Sequence, residues 1–153
     1  MFSKILIANR GEIACRIIKT AKKMGIKTVS VCSEIDMNSP HVLLADEFVN
    51  IGGSTSAESY LVIEKIISAM EISGAEAVHP GYGFLSENAN FAKVLEKNNI
   101  KFIGASSKHI EMMGDKIQAN KIAKENGLPV IDGSDGGVTD ISKAKELCKK
   151  IGY

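Results

Sequence analysis

Five short strand-like runs, spaced by segments of helix or turn length, constrain this chain more than any other feature. The first is Lys4 to Ala8, where Ile5, Leu6 and Ile7 stand together. A run of that kind suits a strand covered on both faces, as in a parallel sheet. Thr28 to Cys32, Glu47 to Ile51, Ala75 to Val78 and Lys101 to Gly104 read as four further strands. Between the first two, Ile13, Ile17, Ile18, Ala21 and Met24 recur at helical spacing, with Arg16, Lys19 and Lys23 on the opposite side. Gly25 is placed to end that helix. His41 to Ala45 reads as a short helical turn. Tyr60 to Ile72 reads as a helix that buries Ile63, Ile66, Ile67 and Met70, and a further helix carries Phe91 and Leu95 up to Asn98. Strands and helices alternating in this way predict an α/β fold with a doubly wound, Rossmann-like parallel sheet and right-handed crossovers.

Charge and cysteine content narrow the function classes. Nineteen basic residues against 18 acidic leave a formal charge of +1, which gives no electrostatic case for a nucleic-acid or anionic-membrane partner. No run of about 18 apolar residues is present to span a bilayer, and the first residues resemble neither a signal peptide nor a transit segment. Cys15, Cys32 and Cys148 are odd in number and widely spaced, with no CxxC pair; reduced and mostly buried thiols in a cytoplasmic protein are expected. No metal-ligand pattern stands out.

Three turns at the ends of strands could carry chemistry. Asn9-Arg10-Gly11-Glu12 follows the first strand, but a dinucleotide fingerprint needs three glycines and Glu12 would set a negative charge against phosphate. Gly52-Gly53-Ser54-Thr55-Ser56 is too short, and lacks the lysine, for a phosphate-cradling loop. His79-Pro80-Gly81-Tyr82-Gly83-Phe84-Leu85-Ser86-Glu87-Asn88 is more distinctive. Loops at the carboxyl ends of parallel strands are where ligands bind in such sheets. Gly81 and Gly83 permit positive φ, and Ser86 is a candidate N-cap that would aim a helix N-terminus at the loop. Read locally, the simpler account is a tight turn with Tyr82 packed as a plug.

Beyond Gly104 the pattern becomes helical. Ser106 to Met113 is followed by Gly114, and Asp115 caps a new helix with Gln118 at its third position. Lys116 falls at the first position of that helix, where a cation opposes the dipole. A solvated lysine is the simpler reading, and an anion site beside free N–H groups the alternative. Asp132 to Gly137 reads as a linker, and Thr139 or Asp140 caps a last helix carrying Ile141, Ala144, Leu147, Cys148 and Ile151. That helix ends at Gly152, so the sequence reads as stopping inside a structural unit.

Lys4 to Ala14, His79 to Asn88 and Met113-Gly114-Asp115-Lys116 together resemble the biotin carboxylase component of biotin-dependent carboxylases. The resemblance runs the length of the chain, and Asp132 to Tyr153 is most similar to the acyl-CoA branch, acetyl- or propionyl-CoA carboxylase. It implies a Rossmann-like domain over residues 1–112 and the start of an ATP-grasp domain over 113–153. It implies ATP, Mg2+ and biotin as cofactors or substrates. Bicarbonate and ATP would give carboxyphosphate, and CO2 would pass to N1 of biotin. Lys116 matches a lysine that contacts ATP, and Tyr82 and Gly83 match a loop on the biotin side of the cleft. His79 would support that loop, and His41 and His109 would be structural or solvated. Arg16 and Lys19 lie on a helix that contributes to dimers, with Lys19 where arginine is common. The implied partners are the remaining ATP-grasp and C-terminal domains, a biotin carboxyl carrier domain, a carboxyltransferase and a second copy. No catalytic residue is expected before Tyr153, and residues 1–153 alone are expected to be inactive. Two other readings stay open: a non-catalytic partner-binding or dimerisation module, and a different ATP-grasp ligase.

Overall fold

The computed structural model describes residues 1–134 and 136–152; Asp135, within the predicted linker, and Tyr153 lie outside the described residues. The chain divides into two compact units, residues 1–110 and 111–153.

The first unit is built on a five-stranded parallel sheet. Its strands are β1 (Lys4–Ile7), β2 (Lys27–Cys32), β3 (Glu47–Asn50), β4 (Ala77–His79) and β5 (Lys101–Phe102), in the spatial order β3-β2-β1-β4-β5. Helices α1 (Gly11–Lys23), α2 (Pro40–Leu44), α3 (Ile63–Ser73) and α4 (Ala89–Lys97) connect them, with α5 (Ser107–Gly114) following β5. The pleat sends alternate residues of β1 to opposite cores. Ile5 and Ile7 pack with Ala14, Ile17, Ile18 and Ala21 of α1. Leu6 joins Val29, Val31 and Val78 against Ile66 and Met70 of α3 and Phe91 and Leu95 of α4. Burial on both faces is why Ile5, Leu6 and Ile7 of β1 read as an unbroken apolar run, and the doubly wound α/β fold predicted from the alternation of strands and helices is present.

Four local expectations are corrected. The third predicted helix starts at Ile63, not Tyr60; Tyr60 is 1% exposed and turns inward, its hydroxyl bonded to residues at the end of β2. Ser86 does not cap α4. Asn88 does, its side chain accepting the Phe91 N–H at 2.9 Å, so the helix starts two residues further from the loop. Met24 is 53% exposed because it follows the last turn of α1, beyond the stripe that meets the sheet. Of the three free thiols, only Cys32 is buried; Cys15 is half-buried and Cys148 exposed.

The second unit holds α6 (Lys116–Glu125) and α7 (Ile141–Ile151). Asp115 accepts the Gln118 N–H at 2.8 Å and Asp140 the Ser142 N–H at 2.7 Å, so both helices start at aspartate caps. Ile141 and Ile151 of α7 are exposed.

Candidate functional site

The sheet order places the topological switch point between β1 and β4, where the chain leaves β1 toward β2 on one side and β4 toward β5 on the other. The two strands stay paired to their carboxyl ends, where the Ala8 N–H donates to the His79 carbonyl at 2.9 Å. Asn9, the next residue, is buried. Its carboxamide donates to the carbonyls of Pro80 (2.7 Å) and Tyr82 (2.8 Å), and its Oδ1 accepts the Arg10 N–H (2.9 Å). One side chain thus clamps the loop after β4 to the turn after β1. Gly81 makes the clamp possible. Its φ is +68°, and a Cβ there would stand 2.9 Å from Asn9 Nδ2 and 3.0 Å from Ile13 Cγ1. The Gly81 N–H donates to His79 Nδ1 at 3.1 Å, which assigns the His79 proton to Nε2. Burial pushes the His79 pKa below its ordinary 6.5, so the neutral, accepting ring is the stable form.

Tyr82 is not a plug. It is 61% exposed, and its hydroxyl donates to Glu12 Oε2 at 3.2 Å, in the first turn of α1. That bond and the Glu12 charge raise the phenol above 10. Gly83 is exposed, with φ +64° and open space where a Cβ would be. Its amide has no hydrogen-bond partner among the described residues. Phe84 follows with φ +42°, a left-handed conformation that costs a non-glycine residue ~1–3 kcal/mol and persists only where neighbours impose it.

The neighbours are identifiable. The Phe84 ring stacks on Tyr60 with centroids 5.3 Å apart and planes 1° from parallel. The Arg10 guanidinium lies 5.6 Å from the Tyr60 centroid and 6.0 Å from that of Phe84. Arg10 also pairs with Asp36 at 3.1 Å. Asp36 Oδ2 accepts the Tyr60 hydroxyl (2.7 Å) and the Ser33 hydroxyl (2.9 Å). Burial pushes the Asp36 carboxyl up, but the bonds from Tyr60, Ser33 and Arg10 outweigh it and hold the acid below 3.8. Burial, and then the bond to Asp36, raise Tyr60 well above 10. The result is an ionised aspartate facing a permanent cation, with an aromatic pair between the cation and the strained loop.

In the second unit, Lys116 stands at the first position of α6, as the sequence predicted. With Ile117, Asn120, Lys121, Lys124 and Ser134 it lines a cavity of about 720 Å³. Lysine amines beside a helix N-terminus suit an anionic ligand. Tyr82 and Gly83 are therefore brought together in the first unit, while Lys116 belongs to the second. Among the described residues no group of three or more His, Cys, Asp or Glu is arranged to hold a metal ion. No described helix is long and apolar enough to cross a membrane. Sequence reasoning missed Asn9, Arg10, Asp36 and Tyr60 as parts of the site. Asn9 and Arg10 carry part of the family resemblance, but their local sequence signals no clamp on the loop, and the other two reach it through tertiary contacts with no local signature.

Residues 1–110 match the family described as "Biotin carboxylase, N-terminal domain". The chain is 54% identical over 154 aligned residues to biotin carboxylase of Haemophilus influenzae, covering 100% of this chain and 34% of that protein. It is 56% identical over 152 residues to the mitochondrial propionyl-CoA carboxylase alpha chain of Caenorhabditis elegans, covering 99% of this chain and 21% of that one. Among solved structures it resembles the biotin carboxylase domain dimer of Hydrogenobacter thermophilus 2-oxoglutarate carboxylase, in complex with MgADP, ADP and bicarbonate. The TM-score there is 0.88 at 47% identity, covering 100% of this chain and 34% of that one. The chain thus spans about a third or less of the length of these relatives.

Proposed function

Because the chain belongs to the biotin carboxylase family through its N-terminal domain, we propose that it supplies the biotin-side loop and the first nucleotide lysine of an ATP-dependent biotin carboxylase. In this reading the complete enzyme joins ATP and bicarbonate into carboxyphosphate with release of ADP, and CO2 then passes to N1 of the biotin ureido ring. The observation that carries the reading is the loop tip. An exposed Tyr82 and an exposed Gly83 amide with no internal partner follow directly on the clamped crevice between β1 and β4. An unpartnered N–H suits the ureido carbonyl oxygen, which accepts hydrogen bonds, and the phenol ring offers apolar area to the bicyclic ligand.

Lys116 is assigned to the nucleotide. An ammonium placed at the cavity edge neutralises phosphate charge as a point cation. Magnesium would accompany the nucleotide; among the described residues no group of three or more His, Cys, Asp or Glu is arranged to hold it. We further propose that the acceptor is an acyl-CoA, because propionyl-CoA carboxylase alpha chains recur among the relatives at 49 to 56% identity. Exposed Arg16 and Lys19 on α1 support a homodimer through that helix, in line with a relative solved as a dimer. Residues 1–153 by themselves are proposed to turn over no ATP in a bicarbonate- and biotin-dependent manner, since they span a third or less of these relatives.

Nucleotide titration tests the assignment of Lys116. In the complete carboxylase, Lys116→Ala raises the KM for ATP at least tenfold, as expected for losing a charge-assisted bond of about 1.5–3 kcal/mol. An unchanged KM refutes it. Bicarbonate- and biotin-dependent ADP formation by the purified 153-residue chain would refute the proposed inactivity. A 153-residue chain that binds partner domains without any nucleotide affinity in the complete assembly would favour the partner-module reading instead.

A further inference from the structure

The geometry points to Arg10, Asp36 and Tyr60 as positioning residues that hold Phe84 in its left-handed conformation and so fix the Tyr82–Gly83 backbone for its ligand. This inference rests on the proposed role of that loop in facing biotin.

Three observations lead to it independently of any ligand. The first is that Phe84 holds φ +42° without being glycine, directly after two glycines that reach positive φ freely. The second is that its ring lies parallel on Tyr60, with Arg10 against both rings. The third is that these contacts end on one anchor. Asp36 sits at the end of a 3-10 turn (Glu34–Asp36) beyond β2 and accepts from Arg10, Tyr60 and Ser33 together. Ser39 adds a fourth donor, to Oδ1 at 3.3 Å. The Tyr60 hydroxyl is itself held twice, donating to Asp36 and accepting the Ser33 N–H at 3.1 Å.

The consequence is directional. Asn9 grips the front of the loop through the carbonyls of Pro80 and Tyr82. The aromatic pair and Arg10 grip its back through Phe84. Between the two grips stand Tyr82 and Gly83, both exposed. A backbone held on either side of an exposed donor loses little freedom when a ligand binds, so the network contributes affinity by preorganisation and not by contact. Removing the Asp36 charge leaves Arg10 without its counter-ion and lets the guanidinium leave the ring pair. Phe84 is then free to relax toward negative φ and carry Gly83 with it.

The test has two parts. Amide 15N order parameters are measured on the 153-residue chain for Asp36→Asn and, separately, for Tyr60→Phe, which keeps the ring stack and deletes the hydroxyl. Both variants are expected to lower the Gly81 and Gly83 values from about 0.85 toward 0.6, with β1, β2 and β4 unchanged. In the complete carboxylase the same substitutions are expected to raise the KM for free biotin at least fivefold. The kcat and KM for ATP in biotin-independent ATP hydrolysis stay as in the unsubstituted enzyme, which a general loss of structure would not allow. Order parameters unchanged in both variants overturn the inference. If Asp36→Asn does not fold, Tyr60→Phe decides. A loosened loop with an unchanged KM for biotin overturns the biotin assignment of the loop, and the inferred ligand role with it, while leaving the assignment of Lys116 untouched.

Discussion

Replacing Gly81 by alanine measures how tightly the loop is clamped, and Gly83 provides the control within the same turn. Both glycines are left-handed, at φ +68° and +64°. A Cβ in that conformation costs ~1–2 kcal/mol, offset by ~0.4–1 kcal/mol from the stiffer unfolded chain. At Gly83 nothing lies within 4 Å of the new Cβ, so Gly83→Ala should cost about 1 kcal/mol or less. At Gly81 the new atom meets Asn9 Nδ2 at 2.9 Å and Ile13 Cγ1 at 3.0 Å. The Asn9 carboxamide must move, and it then loses at least one of its bonds to Pro80 and Tyr82. A buried group left unpaired costs ~1–3 kcal/mol. Gly81→Ala is therefore expected to cost about 2 kcal/mol more than Gly83→Ala. With a urea m-value of about 2 kcal/mol/M, the midpoints differ by about 1 M. Near-ultraviolet circular dichroism, to which buried Tyr60 contributes, follows the unfolding of the first unit. In an Asn9→Ala background only the Ile13 contact remains at Gly81, so the difference between the two alanine substitutions should shrink by at least about 1 kcal/mol. Equal midpoints for Gly81→Ala and Gly83→Ala in the unsubstituted chain would refute the clamp.

Three further outcomes are expected. Asn88→Ala should destabilise the first unit by about 1 kcal/mol through loss of its cap. Ser86→Ala should stay within about 0.5 kcal/mol, and the reverse order in a urea series would place the cap back at Ser86. Stability should fall as pH drops below 6.5, because burial depresses His41 and His79 in the folded state and the unfolded chain takes up protons first. That contribution is complete above 6.5 and is lost as pH falls through 6.5 to the folded values. His79→Asn, whose Oδ1 accepts the Gly81 N–H without titrating, should make the decline of the urea midpoint between pH 7 and 5 shallower; an unchanged slope refutes it. A separate loss sets in below 3.8. Burial pushes Asp46 up, but bonds from Thr28 and the Lys22 charge outweigh it, and Asp36 is held down likewise. Both carboxylates thus contribute stability above 3.8 that is lost as pH falls toward their folded values, and Asp46→Asn should flatten the acid limb of the same titration.

What the sequence disclosed follows from how local each signal is. Unbroken runs such as Ile5-Leu6-Ile7 are strands buried on both faces, and glycines at the helix ends mark boundaries without help from the rest of the chain. Tyr60 carries no such mark. Its neighbours continue a helical pattern, and only the acceptor at Asp36 and donor at Ser33 turn it inward. Ser86 and Asn88 are equally good caps by type, and the turn that returns Ser86 N–H to the Gly83 carbonyl decides between them. Tyr82 between two glycines looks like packing material, yet Glu12, 70 residues earlier, holds its hydroxyl at the surface. The loop was visible as a candidate because its composition is unusual. Its fastenings were not, because each one joins segments far apart in the chain.

The central place of β1 also bears on how the chain emerges during synthesis. One edge of β1 is filled by β2 within the first 32 residues, but the other waits for β4 at Ala77–His79. At about 5–20 residues per second that interval lasts roughly 2–10 s. Throughout it, Ile5, Leu6 and Ile7 present an unpaired strand edge of the kind that recruits stray strands. The crevice between β1 and β4 thus closes only after β2 and β3 have been made, and a nascent chain stalled before residue 77 carries that strand edge open.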